Sequence, residues 1–221
     1  MKPLAILDLE TTSLDPATGE IIEAAVCLFD VDLGRIITAR SWLVDTGNAN
    51  PAEAINGIPG RLLLHGDSRD FVIRELASVG YGAHAFVAHN AAFDRSWLTE
   101  IDGSAPWVCS MSDIEWPRQG TGKSLTSLAL SHGVGVVAAH RALDDVLTLA
   151  RVFERVAEMG HSLPNMIAKA MLPRVVVQAI VSYDEREKAK AAGFSWDGAT
   201  KRWTKRVLAG TAFDFETREV A

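Results

Sequence analysis

Apolar positions recur in two rhythms along this chain. Over the first forty-odd residues the rhythm is two. Leu4–Glu10, Ile21–Phe29 and Ile36–Val44 read as strands, separated by short turns rich in Asp, Pro and Gly. Links this short predict an antiparallel meander. The rhythm then lengthens. Phe71, Leu76 and Val79 fit one side of a helix, and Ala85–Ala88 is a short strand. Ala91–Ile101 is helical, Trp107–Met111 is a short strand, and Leu125–Leu130 and Ala142–Glu158 are helical again. Three strands followed by alternating helices and strands predict an α/β domain, a mixed five-stranded sheet flanked by helices.

Pro164 and Pro173 bracket one more short apolar helix, and a second unit follows. Val175–Tyr183 is strand-like. Asp184 is placed to cap a helix with Glu187 as its reciprocal partner, and Gly193 to end it. "FSWDGATKRWTK" reads as a hairpin turning at Asp197-Gly198. The expected organisation is a domain over residues 1–170 and a small α+β module (strand, helix, hairpin) over 174–221.

Composition bounds this picture without changing it. The chain has 221 residues, 48% of them hydrophobic, enough for one sizeable core and a small appendage. Its apolar runs are far short of the roughly 18 residues that span a bilayer. Asp8 interrupts the N-terminal apolar stretch too early for a signal peptide. Cys27 and Cys109 are isolated, so a cytoplasmic, reducing compartment is expected. The net charge of −6 argues at first against a nucleic-acid partner. It is uneven, however: residues 1–173 hold 13 Lys+Arg and 21 Asp+Glu, a balance of −8, whereas residues 174–221 hold 9 and 7, a balance of +2. Cations held by the acidic region would offset part of its charge.

The acids of the first region carry the chemistry. Strand alternation puts Asp8 and Glu10 on one face. At about 6 Å and an effective dielectric near 20 they repel by about 3 kcal/mol. A strand end leaning into solvent would accommodate them, and this pair alone does not decide between solvent and a site. Two other acids do. Asp94 shares the apolar stripe of Trp97, Leu98 and Ile101, while Arg95 lies with Thr99 and Asp102 on the polar side. Asp145 aligns with Ala142, Leu149, Val152 and Phe153, while Asp144 aligns with Thr148, Arg151 and Arg155 on the side expected to face solvent. Four inward carboxylates from three elements, with too few bases nearby to pair them, point to cations. An oxygen-only ligand set suits Mg²⁺ or Mn²⁺. Two such ions side by side would serve a phosphodiester displacement. His140, five residues before Asp145, suits proton abstraction from water.

"DLETTSLD", "AHNAAFD" and "HRALDD", in this order and spacing, resemble the three motifs of DEDDh-type 3′→5′ exonucleases of the DnaQ-like family. "WVCSMSDIEWP" is similar to the corresponding segment of exonuclease X-type proteins. The resemblance covers about residues 1–160. It implies a ribonuclease H-like fold, two Mg²⁺ or Mn²⁺ ions, and release of nucleoside 5′-monophosphates from a 3′ end. It also implies metal ligation by Asp8, Glu10, Asp94 and Asp145, with His140 as general base. Thr11, Thr12, Leu14, Asn90 and Phe93 would bind the terminal nucleotide. The partner implied is nucleic acid, DNA rather than RNA. A homodimer stays open, because the family contains monomers and dimers. The alternatives are an exoribonuclease and a non-catalytic nucleic-acid-binding module on the same fold. One departure is Asn56 in "AINGIP", where the family segment often has a histidine.

Two further stretches need a reading. "GTGKS" at 120–124 ends like a phosphate-binding loop, but Pro117 stands where that motif needs glycine. A loop with Ser124 capping the next helix fits better. The tail interleaves Tyr183, Phe194, Trp196 and Trp203 with Lys188, Lys190, Lys201, Arg202, Lys205 and Arg206, and is similar to an uncharacterised module of bacterial and phage DNA-processing proteins. So small a unit needs aromatics for its own core. Core duty for most aromatics and nucleic-acid contact for some basic residues are both open.

Overall fold

The computed structural model describes residues 1–47, 50–118, 120–137 and 140–220, so Ala221, the end of the expected module, lies outside the described residues. The chain divides into two compact units that meet between Met171 and Leu172.

In the first unit β1 (Leu4–Thr11), β2 (Ile21–Asp30) and β3 (Arg35–Leu43) form the expected antiparallel meander. β4 (Ala85–Ala88) and β5 (Trp107–Cys109) add on in parallel, giving a mixed five-stranded sheet in the order β3-β2-β1-β4-β5. Two short helical turns, α1 (Glu53–Asn56) and α2 (Gly60–Leu63), precede α3 (Arg69–Gly82). Then come α4 (Ala91–Trp97), α5 (Leu125–Ser131), α6 (Ala142–Glu158) and α7 (Leu163–Ala170).

β1 is covered on both faces, which explains its near-continuous apolar run. Leu4 and Ile6 join Cys27, Phe29, Val87 and the α6 residues Leu149, Val152 and Phe153. Ala5, Leu7 and Leu9 join Val26, Phe86, the α3 residues Val72 and Leu76, and Trp97 and Leu98. Alternation therefore carries Asp8 and Glu10 along the face that α6 covers. Phe153 anchors that face, its ring 5.6 Å from Phe29 and 5.0 Å from Trp116.

Several expectations shift in detail. Phe71 is at the surface, whereas Leu76 is buried and Val79 packs on the core as expected, with Val72 and Ile73 completing the buried stripe of α3. The helix expected through Ile101 stops at Trp97. Leu98 leaves helical geometry at φ −119°, and a single 3-10 turn over Thr99–Ile101 follows. Leu98 and Ile101 are nevertheless buried as expected. Thr148, expected to face solvent with Asp144, is buried, because both the sheet and α5 pack against α6.

The second unit is a four-stranded antiparallel sheet, order β7-β8-β6-β9, built from β6 (Arg174–Ala179), β7 (Ser195–Asp197), β8 (Arg202–Leu208) and β9 (Thr217–Val220), with one helix, α8 (Arg186–Ala191). β6 ends at Ala179, short of the expected Tyr183. No side chain caps α8 in the way proposed for Asp184. Ser182 and Glu185 pair instead, the Glu185 carboxylate accepting from the Ser182 amide and hydroxyl. Gly193 follows the helix at φ +78°, the left-handed geometry expected of it. The hairpin turn is longer than two residues. Asp197 pairs with Arg202, and its carboxylate accepts from the Ala199 amide and the Thr200 hydroxyl. β9 has no counterpart in the sequence reading.

Candidate active site

Three elements deliver the acids. Asp8 and Glu10 lie on the second half of β1, where the pairing with β2 slips between Glu10 and Thr11. Such a bulge re-aims side chains next to a site. Asp145 lies in the first turn of α6, where the helix dipole favours negative charge. Carboxylate oxygens of Asp8, Glu10 and Asp145 all lie within 4.8 Å of one another.

Asp94 stands behind this triad, in the first turn of α4. It is 2% exposed, and its Oδ1 has no hydrogen-bond partner among the described residues. The Leu9 amide, between the two β1 acids, partly offsets the effect of burial on the Asp94 carboxyl. Asp94 is close enough to Asp8 for its charge to raise that group's pKa.

Every one of these acids is harder to ionise than an ordinary carboxyl. Burial pushes Asp8 well up, reinforced by the charges of Asp94, Asp145, Glu10 and Glu23. Glu10 rises to about 7, from burial and then the charges of Asp145 and Glu23. Asp94 rises to about 8, chiefly from burial. Burial also raises Asp145, opposed by a hydrogen bond from the His140 amide. Converging carboxylates with raised pKa values, one with an orphaned buried oxygen, are the electrostatic form of a divalent-cation site. The residues fit such ions.

His140 sits immediately before α6, exposed, in the left-handed region at φ +64°. A charged imidazole there would favour ionisation of Asp145. The Thr11 hydroxyl donates to the Ser13 carbonyl at 2.6 Å, and the Thr12 hydroxyl accepts from the Glu20 amide at 2.8 Å. Both are thus engaged within their own loop. Leu14 is 87% exposed. Asn90 is exposed at φ +80° at the start of α4, and Phe93 is half-buried beside Trp97. Asn56 points into its own loop, its Oδ1 accepting from the Asn50 side chain and the Ile58 amide. Ser124 caps α5 by accepting from the Ser127 amide, and its loop is held by His89, which bonds Ser110 and the Lys123 carbonyl.

Sequence reasoning missed Glu23 and Arg141. Glu23 is directly opposite Glu10 on β2 and 1% exposed. Arg141 grips it through two hydrogen bonds of 2.9 Å, and the Ala142 amide adds a third of 3.1 Å. The clamp fixes the chain between His140 and α6 to the sheet. The signal was an acid inside the apolar run "IIEAAV" on the strand next to Glu10.

Comparison with known proteins agrees with this architecture. Residues 175–217 match a family described as Domain of unknown function (DUF8626). The chain is 33% identical over 165 residues to DNA polymerase III PolC-type of Thermotoga petrophila, a match covering 70% of this chain and 12% of that protein. It is 34% identical over 121 residues to exodeoxyribonuclease 10 of Escherichia coli K12, covering 52% of this chain and 49% of that protein. The first unit has a ribonuclease H-like fold, and its acidic motifs are similar to those of DnaQ-like 3′→5′ exonuclease domains. Among solved structures it is similar to Exonuclease X in complex with 5′ overhanging duplex DNA, at TM-score 0.56 and 28% identity, covering 76% of this chain and 99% of that one. Among the described residues no helix is long and apolar enough to cross a membrane.

Proposed function

We propose that the protein is a metal-dependent exonuclease that removes nucleoside 5′-monophosphates from the 3′ end of DNA. The convergence of Asp8, Glu10 and Asp145 oxygens within 4.8 Å carries this reading. The solved Exonuclease X complex, which holds duplex DNA, supports DNA as the substrate. Asp8, Glu10, Asp94 and Asp145 would hold two Mg²⁺ or Mn²⁺ ions. When bound, such ions supply positive charge to the attacking and leaving oxygens of a phosphodiester displacement. His140 takes the proton from the attacking water. The bond from phosphorus to the 3′ oxygen breaks, leaving a 3′-hydroxyl on the shortened strand and a 5′-phosphate on the released nucleotide. Thr11, Thr12, Leu14, Asn90 and Phe93 border the terminal nucleotide.

The test is a 5′-labelled DNA oligonucleotide incubated with the full chain and Mg²⁺ or Mn²⁺. Stepwise shortening from the 3′ end, with a circular single strand left intact, is expected. Cutting of the circle, or shortening that persists in EDTA, refutes the proposal.

A further inference from the structure

The second unit contains a cavity of about 530 Å³ whose lining includes Tyr183, Trp196, Trp203, Arg186, Lys201 and Arg202 and, among the described residues, no carboxylate. The unit does not need all of these rings for its core. Phe194, Phe213 and Phe215 pack on one another with centroids 5.1–5.6 Å apart, over Val177, Ala179, Ala189 and Val207. Trp203 leans on this cluster with one side. Trp196, directly across the hairpin, has its ring 5.5 Å from Trp203 and remains 52% exposed. Tyr183 is 78% exposed, and the Arg186 guanidinium lies 3.9 Å from its ring centroid and donates to its carbonyl. Leaving two large rings in water beside a well-packed core is uneconomic for so small a unit unless something covers them.

The charges say what would cover them. Lys188 and Lys190 are matched by Glu185 and Glu187, Glu187 also lies 3.8 Å from the exposed Arg186 guanidinium, and Lys205 donates to the Ala192 carbonyl. Lys201 forms no ion pair among the described residues and lies at the cavity with Arg186 and Arg202. Asp197, next to Trp196, is turned to the Ala199 amide and the Thr200 hydroxyl within its turn. Exposed rings interleaved with cations suit a chain that alternates flat bases with phosphates.

We propose that this cavity binds single-stranded DNA, bases stacking on Trp196 and Tyr183 while the backbone phosphates meet Arg186, Lys201 and Arg202. A duplex keeps its base faces stacked inside and would not fill the site. The site is separate from the acidic cluster, and its occupancy requires no hydrolysis.

The experiment uses the full chain carrying Asp145→Asn, in EDTA, with a fluorescent oligothymidine read by anisotropy. Trp196→Ala should weaken binding about tenfold, and Trp196→Phe should retain most of the affinity. Lys201→Glu should weaken binding and flatten its dependence on salt by about 0.7 in the log–log slope, the value of one single-strand phosphate contact. A blunt duplex should compete poorly. If Trp196→Ala is misfolded by circular dichroism, the Lys201→Glu salt slope decides. Parent-like affinity and slope in the folded variants overturn the proposal. Hydrolysis of a trinucleotide by the unaltered chain with Mg²⁺ is a separate readout; its absence counts against the nuclease reading and leaves the binding result standing.

Discussion

Glu23 and the acids of the neighbouring cluster are compensated in opposite ways. Glu23 on β2 receives two hydrogen bonds from Arg141 and one from the Ala142 amide. Among the described residues no ion pair neutralises Asp8, Glu10, Asp94 or Asp145; burial raises their pKa values despite the charges of Arg141 near Glu10 and His140 near Asp145, and Asp94 keeps an orphaned oxygen. One acid is neutralised by the chain to hold it together. The others leave their deficit open to ions from outside. Burial alone does not mark a functional acid; burial without an internal partner does.

Substitutions should therefore separate the two groups by sign. The largest effect belongs to Asp8→Asn. It should lower the exonuclease rate by about three orders of magnitude or more in single-turnover assays, a loss of roughly 4 kcal/mol of transition-state stabilisation. In EDTA at alkaline pH, where the cluster ionises, it should raise the melting temperature, because it removes one charge from a repelling cluster. Arg141→Ala should do the opposite to stability. It strands Glu23, 1% exposed, with only the Ala142 amide as partner; because Arg141 itself is 41% exposed, the loss should be about 1–3 kcal/mol in urea unfolding. A stability loss within 0.5 kcal/mol of zero, the range of ordinary surface changes, would erase the distinction between the groups.

His140→Gln is next. Loss of a positioned general base should lower the rate by about a hundredfold while leaving metal affinity, measured by calorimetry, near the parent value. A parent-like rate removes His140 from the mechanism.

The most graded effect is that of pH. In the unfolded chain these carboxyls titrate near 4, whereas Glu10 in the fold rises to about 7 and Asp94 to about 8. Between those limits the folded protein retains protons that the unfolded chain has released. Stability in EDTA should therefore fall as pH rises from about 4 to about 8, then level off. Mn²⁺ binds the deprotonated acids, so it should flatten this fall and bind more tightly as pH rises. Melting curves that do not change with pH in EDTA would show that the cluster is not under the strain described.

How far the sequence alone reached follows from the range of the interactions. Asp8 and Glu10 share a face because strand side chains alternate, and Asp145 turns inward where Asp144 does not because helices repeat every 3.6 residues. Both rules act over a few residues, so the motif acids, the meander and α6 were legible. The end of α4 at Trp97 and the pairing of Ser182 with Glu185 in place of a cap by Asp184 were not. Each depends on competition between nearly equivalent local choices that packing resolves. Phe194 and Trp196 are two residues apart in one short strand region, yet one is core and the other half in water. Nothing in their spacing assigns which face the rest of the module covers.

The amino-acid order by itself determined which acids turn inward, since periodicity is a property of the backbone. Only the tertiary structure decided that three of them meet within 4.8 Å and that Arg141 is already taken by Glu23, 118 positions away. Contacts across such distances are set by how the elements pack, and no local rule encodes them.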